Sequence, residues 1–236
     1  MIVIVASCLD QAARALAARP RTDQVALLTC ADLSVPGWRH YVAAVGTPAA
    51  VIGGREVALG EITAVAICLP SVSELELGHI VPADRAYVAA EMNAFLLSWL
   101  SELACPVVNR PSPTCLSGPY WRPEQWLHLA ARIGLRVRPV NRRVTLAAGS
   151  APPDPDSAAV TVTVIGERCL GHDDPAIRDG ARRLARAAGV EVLTVRVSTP
   201  EPDAVFRGAE PWPDLTCEET AGLLVEYLAA TSSAPT

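Results

Sequence analysis

"RAYVAAEMNAFLLSWLSELACPVVNRP", residues Arg85–Pro111, decides how the rest of the chain is read. Met92, Phe95, Leu96, Trp99, Leu100 and Leu103 recur at steps of three and four behind Tyr87, the spacing of a broad apolar helix face. Pro82 stands ahead of the run, and Ala83 or Asp84 is placed to open it. A helix is therefore predicted from Pro82 to Ala104, with "PVVN" following at once as a short strand. A long helix that feeds a buried strand is half of a parallel-sheet unit.

Toward the amino terminus the same grammar repeats. "IVIVA" (Ile2–Ala6) is a continuous apolar run suited to a strand buried on both faces, and Asp10 can cap an alanine-rich helix running to about Arg19. "QVALLTC" is a second buried strand, "AAVIGG" and "REVALG" have the glycine punctuation of a hairpin, and "ITAVAICLP" is a strand closed by Pro70. Residues 1–111 are thus expected to be an α/β domain, a mostly parallel sheet with flanking helices.

Toward the carboxy terminus the character changes. Pro111, Pro113, Gly118 and Pro119 mark an irregular connector, a helix is predicted from Pro123 to Ile133, and "GSAPPDPDS" (Gly149–Ser157) is too polar and turn-rich to pack a core. Residues 112–158 therefore read as a connector. Beyond it "AVTVTVIG" and "RCLG" alternate as an antiparallel pair around Gly166, and Asp174–Pro175 opens a helix that ends at Gly189. "VEVLTVRV" and "DAVFRG" are further strands, and Cys217–Ala230 a closing helix, so 159–236 is expected to be a small α+β lobe.

Composition limits the function classes. Half of the 236 residues are hydrophobic and 19% are charged, which excludes a disordered chain. A net charge of −5 gives no concentrated basic face for nucleic acid, and the arginines between Arg132 and Arg143 read as a solvated helix end. All 20 basic residues are arginine, which fits a high-GC, bacterial coding bias and leaves no ammonium for phosphate or Schiff-base chemistry. The seven cysteines show no C-x-x-C and no metal-like spacing, so they read as small buried hydrophobes in a reducing compartment. "MIVIVASC" lacks a charged leader, and no apolar run approaches a membrane span, so a cytoplasmic protein without membrane contact is expected.

With these elements placed, the first 110 residues resemble the pre-ATP-grasp domain of ATP-grasp ligases, most clearly in the helix leading to "VVNRP". "VTVTVIGERCLG", a helix, then "VEVLTVRV" is similar to the carboxy-terminal lobe of the same enzymes. The resemblance implies a cleft that holds ATP under a subdomain carrying lysines, with acidic residues and an asparagine on magnesium. Only about 20 residues stand between Pro139 and Val160 where that subdomain belongs, and no asparagine accompanies Glu210 and Asp214. A shortened, degenerate member is therefore expected: a pseudoenzyme with no cofactor. It would be an accessory or binding subunit for a protein or peptide partner, or a homo-oligomer, in a small-molecule or peptide modification pathway.

The candidate cleft residues are Cys8, Asp10, Asn109, Arg110 and Trp121. The first two sit where a strand meets a helix at the rim that open sheets use for ligands. A thiol there can have a lowered pKa and act as a nucleophile, although a capping Asp beside a buried cysteine accounts for both residues. The alternative is an active carboxylate–amine ligase holding ATP phosphates on Arg138, Arg142 or Arg143 and magnesium on Glu210 with Asp214. His172, Asp173 and Asp174 are adjacent but too close in sequence to converge on one ion, and Asp174 has a capping role available. Trp38, His40 and Tyr41, and Tyr120, Trp121 and Trp126, are either a partner surface or packing around the connector.

Overall fold

The computed structural model describes residues 1–19, 25–41, 46–138, 159–198 and 204–232. They gather into two units, one of Met1–Tyr120 with the segment from Pro211 onward, the other of Trp121–Glu210. The architecture is mixed α/β, with a parallel sheet flanked by helices in the first unit and a separate antiparallel sheet in the second.

The first unit runs β1 (Ile2–Val5), α1 (Gln11–Ala17), β2 (Val25–Leu28), β3 (Ala49–Ile52), β4 (Arg55–Ala58), β5 (Ala64–Ile67), α2 (Arg85–Glu102) and β6 (Val107–Val108). The parallel sheet has the order β2-β1-β5-β6, with Ile2 opposite both Val25 and Ala64. All four residues of β1 and of β5 are buried, as strands covered on both faces must be. Val3, Val5, Val65 and Ile67 share one core with Met92, Leu96, Trp99 and Leu100 of α2. Full burial of each such side chain contributes about 1.5–3 kcal/mol. Tyr87 does not belong to this stripe; it is 69% exposed, because the buried face begins a half-turn later at Ala89.

The hairpin β3–β4 forms where its glycines stand. Gly53 and Gly54 have φ of +58° and +72°, a turn at which a side chain would be strained. Asp10 caps α1 by accepting from Ala13 N at 2.9 Å, as expected, although the helix ends at Ala17.

The second unit contains α3 (Pro123–Arg132), β7 (Ala159–Ile165), β8 (Arg168–Gly171), α4 (Pro175–Ala188), β9 (Val192–Ser198) and β10 (Phe206–Glu210), with an antiparallel order β10-β9-β7-β8. Val162 and Val164 of β7, Leu193, Val195 and Val197 of β9, and Phe206 pack against Trp126 and Ala130 of α3 and Leu184 of α4. The alternate residues form a polar face on which Thr163 meets Thr194 (Oγ–Oγ 3.3 Å) and Arg196 meets Glu210 (2.8 Å). Asp174 caps α4 through Ala176 N and Ile177 N, and Gly189 closes the helix in the left-handed conformation.

The closing helix α5 (Glu218–Ser232) does not belong with the lobe expected at 159–236. It packs along β5 and β1 of the first unit, where Leu224 and Leu228 are buried. The alternate residues Ile2, Ile4, Ala64 and Ala66 of β1 and β5 are as buried as those facing α2, so the sheet needs a second cover. Much of the expected connector, residues 139–158, lies outside the described residues. Its start, 112–120, is part of the first unit, where Leu116 N donates to Pro70 O at 2.8 Å.

Candidate functional site

The carboxy ends of β1, β2, β5 and β6 share one edge of the parallel sheet, the edge at which open α/β sheets take ligands. Cys8 and Asp10 follow β1 there, and Asn109 and Arg110 follow β6. Two buried carboxylates also occupy the first unit's loops. Glu76 accepts from Ser7 Oγ and from Cys8 N (3.1 Å). Asp32 accepts from Thr29 N (2.8 Å), Thr29 Oγ (3.1 Å) and, across to the hairpin turn, Gly54 N (2.7 Å).

These bonds bear directly on ligand chemistry. Backbone amides at such a rim are the groups that cradle a phosphate or carboxylate ligand. Here the amides of Cys8, Ala13, Thr29 and Gly54 are satisfied by the chain's own Glu76, Asp10 and Asp32. An incoming anion would find these donors already taken by carboxylate oxygens. Sequence reasoning missed Asp32 and Glu76, since Glu76 reaches its partners across 68 and 69 positions.

The same carboxylate settles Cys8. A thiol with a lowered pKa was one reading of this position, and the structure reverses it: burial raises the Cys8 thiol, and Glu76 raises it further by hydrogen bond and charge. Burial and then Glu76 push Cys30 to about 12. Cys68, at the end of β5, is likewise at about 12 through burial and then Asp10. Cys217, exposed just ahead of α5, is shifted the other way: its pKa is lowered by hydrogen bonds from the Thr220 side chain and the Thr220 and Glu219 amides.

Asn109 is buried at 3% exposure and serves as a suture. Its Nδ2 donates to Pro211 O at 2.7 Å and points to Ser117 O at 3.5 Å. Gly118, at φ +113°, lets the connector pass so close that a Cβ there would sit 3.1 Å from Asn109 Cβ. Arg110 projects outward and is exposed. Trp121 belongs to the second unit, half-buried, with its ring 4.6 Å from that of Trp126.

The residues of the ligase alternative divide. Arg138 is exposed at the end of a segment that bridges Val137 to Phe206, while Arg142 and Arg143 lie outside the described residues. Glu210 is ion-paired to Arg196, and the Asp214 carboxylate accepts from Thr216 N (2.9 Å) and Thr216 Oγ (2.6 Å). Neither carboxylate is held open for magnesium, and among the described residues no three His, Cys, Asp or Glu are grouped to hold a metal ion. Among the described residues, Glu210 and Asp214 are thus each engaged by a neighbour within the chain.

Several of the remaining candidates are engaged by neighbours within the chain. His172 Nδ1 accepts from Asp174 N (3.2 Å), and Asp173 pairs with Arg178 (2.6 Å). Trp38 stacks edge-on against Phe95 (5.1 Å) and Trp99 (5.5 Å) and donates from Nε1 to Asp32 O (2.8 Å). Trp126 is buried, whereas Tyr120 is 68% exposed. No described helix is long and apolar enough to cross a membrane.

No family model and no curated protein matches the chain. Solved structures do. The macrocyclase MdnC bound with precursor peptide MdnA from Microcystis aeruginosa MRC is similar at a TM-score of 0.67 and 11% identity, covering 98% of this chain and 97% of that one. The Chryseobacterium gregarium RiPP-associated ATP-grasp ligase, in complex with ADP and a leader and core peptide, is similar at 0.67 and 12%, covering 99% and 97%. The ATP-grasp ligase PsnB complexed with minimal precursor is similar at 0.64 and 14%, covering 98% of each chain. The likeness runs end to end, while the shortening expected between Pro139 and Val160 falls almost wholly on residues outside the described ones. Sheet order, helix placement and these superpositions together give the conclusion: this chain has an ATP-grasp-like fold.

Proposed function

We propose that the protein is a non-catalytic ATP-grasp-like subunit that binds a peptide or protein partner in a peptide-modification pathway. The observation that carries the reading is that amides after β1 and β2 and in the first turn of α1 are taken by the chain's own Glu76, Asp32 and Asp10. Glu210 is likewise taken by Arg196. Phosphoryl transfer depends almost wholly on positioned cations and metal, and losing one such electrostatic contact costs about 10²–10³ in rate. A chain with no lysine and with its acidic candidates committed elsewhere has lost several. The peptide class is suggested by the similar structures, which hold precursor peptides.

Titration of the full chain with Mg·ATP by calorimetry, paired with a thermal-shift series, tests the reading. The expected result is no heat of binding and no stabilisation. Micromolar binding with ADP release, abolished by Glu210→Gln, would establish the ligase alternative instead.

A further inference from the structure

We propose that Ser98, His40 and Glu102 form a second reactive centre, in which a general base activates a serine hydroxyl toward activated acyl donors. Ser98 Oγ lies 2.8 Å from His40 Nε2, and His40 Nδ1 lies 3.8 Å from Glu102 Oε2. Nucleophile and base are thus in hydrogen-bond contact, and the Glu102 carboxylate stands on the Nδ1 side of the ring, just beyond hydrogen-bond distance.

Local structure sets this geometry. Ser98 and Glu102 lie four apart on α2 and so share a face, and His40 arrives from the segment that Trp38 anchors against the same helix. The imidazole packs edge-on against Phe95 at 5.6 Å, and its side chain is only 10% exposed, so the ring is held in orientation. A carboxylate on the Nδ1 side favours the tautomer whose Nε2 lone pair faces Ser98. A second feature separates Ser98 from an ordinary helical serine. Ser101, one turn on, donates back to Leu97 O at 2.6 Å, whereas the bond of Ser98 Oγ is to His40, 58 positions away.

The chemistry follows from what the helix lacks. The amides around Ser98 are engaged in helical hydrogen bonds, so no oxyanion donor is provided there, a deficit of about 10²–10³ in rate. The centre therefore suits substrates with a good leaving group, such as aryl esters, thioesters and acyl phosphates, and acylation outpaces turnover. In the step itself Ser98 Oγ bonds to the acyl carbon as its proton passes to His40 Nε2. The bond from that carbon to the leaving group breaks, and the leaving group departs with the electron pair. Water later cleaves the serine ester, releasing the carboxylic acid. Ser98 and His40 are the catalytic residues, and Glu102 is a positioning residue.

The test uses p-nitrophenyl acetate on the full chain carrying Cys217→Ser, which removes the exposed competing thiol. With no lysine in the chain, background acylation of side-chain amines does not arise. The expected result is a burst approaching one equivalent of nitrophenolate, acetyl mapped to Ser98 by peptide mass spectrometry, and a solvent deuterium isotope effect on the burst. His40→Asn should slow Ser98 acetylation about 100-fold, the usual scale of general-base assistance. Glu102→Gln, at a half-exposed position where folding is not at risk, should slow it on the order of tenfold and diminish the isotope effect. Acetylation confined to other residues, or a Ser98 rate unchanged in both variants, would overturn the proposal.

Discussion

The seven cysteines should differ in reactivity by orders of magnitude, and the order can be worked out from their surroundings. The perturbation is a neutral aromatic disulfide added to the folded chain at pH 8, with thione release followed by absorbance. At an ordinary value of 9.0 about 10% of a thiol is thiolate at that pH, whereas at the value of about 12 for Cys30 and Cys68 the fraction is ~10⁻⁴. The thousandfold deficit is partly offset, because a more basic thiolate is the better nucleophile by about 0.4–0.5 log units per pKa unit, or roughly 20-fold over this span. A net advantage of about 50-fold remains before access is considered. Cys217 gains further on both counts: its pKa lies below 9.0, and it is the one described cysteine that is exposed. One equivalent should therefore react in a fast phase that Cys217→Ser removes, with the half-buried and buried cysteines following more slowly. Because the shift is downward, the fast phase should extend to lower pH than that of an ordinary thiol. A fast phase that survives Cys217→Ser, or one that includes Cys30, would refute the reasoning.

Other outcomes follow from single contacts. Replacing Asn109 by Ala leaves the buried Pro211 carbonyl without its 2.7 Å donor and should cost about 1–3 kcal/mol in urea unfolding. Gly171→Ala would place a Cβ 2.2 Å from Thr161 O at φ +100°, so β8 must shift; a loss above ~2 kcal/mol and a lower melting temperature are expected. Asp174→Ala removes the cap of α4 and should cost about 1 kcal/mol, read from the same unfolding curves. Cys30, protonated in the fold up to about 12 but ionising near 9.0 when unfolded, contributes stability below the unfolded value that is lost as pH rises through this window. Between pH 9.5 and 10.5 the protein should lose about 1 kcal/mol more than its Cys30→Ala variant, measured by denaturant titration.

Much of the architecture was legible because the strands are covered on both faces. Short apolar runs such as "IVIV" and "AVAI", bounded by turn residues, read as buried strands, and the paired glycines of the hairpin and the caps at Asp10 and Asp174 announce themselves locally. What escaped depends on contacts distant in sequence. Nothing in "SELELG" marks Glu76 as the partner of Ser7, and nothing in "CADLS" marks Asp32 as the acceptor for a hairpin 22 positions on. Ser98 and Glu102 were visibly four apart, but His40 joins them only once Trp38 packs against α2. The placement of α5 was misread for a similar reason: an apolar helix next in order to a lobe was assigned to that lobe, although the sheet made first still had a bare face.

That returning helix makes residues 121–210 an insertion within the first unit. The two ends of the excursion meet: a Cβ on Gly118 would lie 3.6 Å from that of Pro211. Vectorial synthesis therefore delays the completion of the first unit until α5 has left the ribosome. It also makes the insertion a detachable cassette. A few flexible residues joining Gly118 to Pro211 would span the gap, and whether the parallel-sheet unit then folds alone can be read from its unfolding curve.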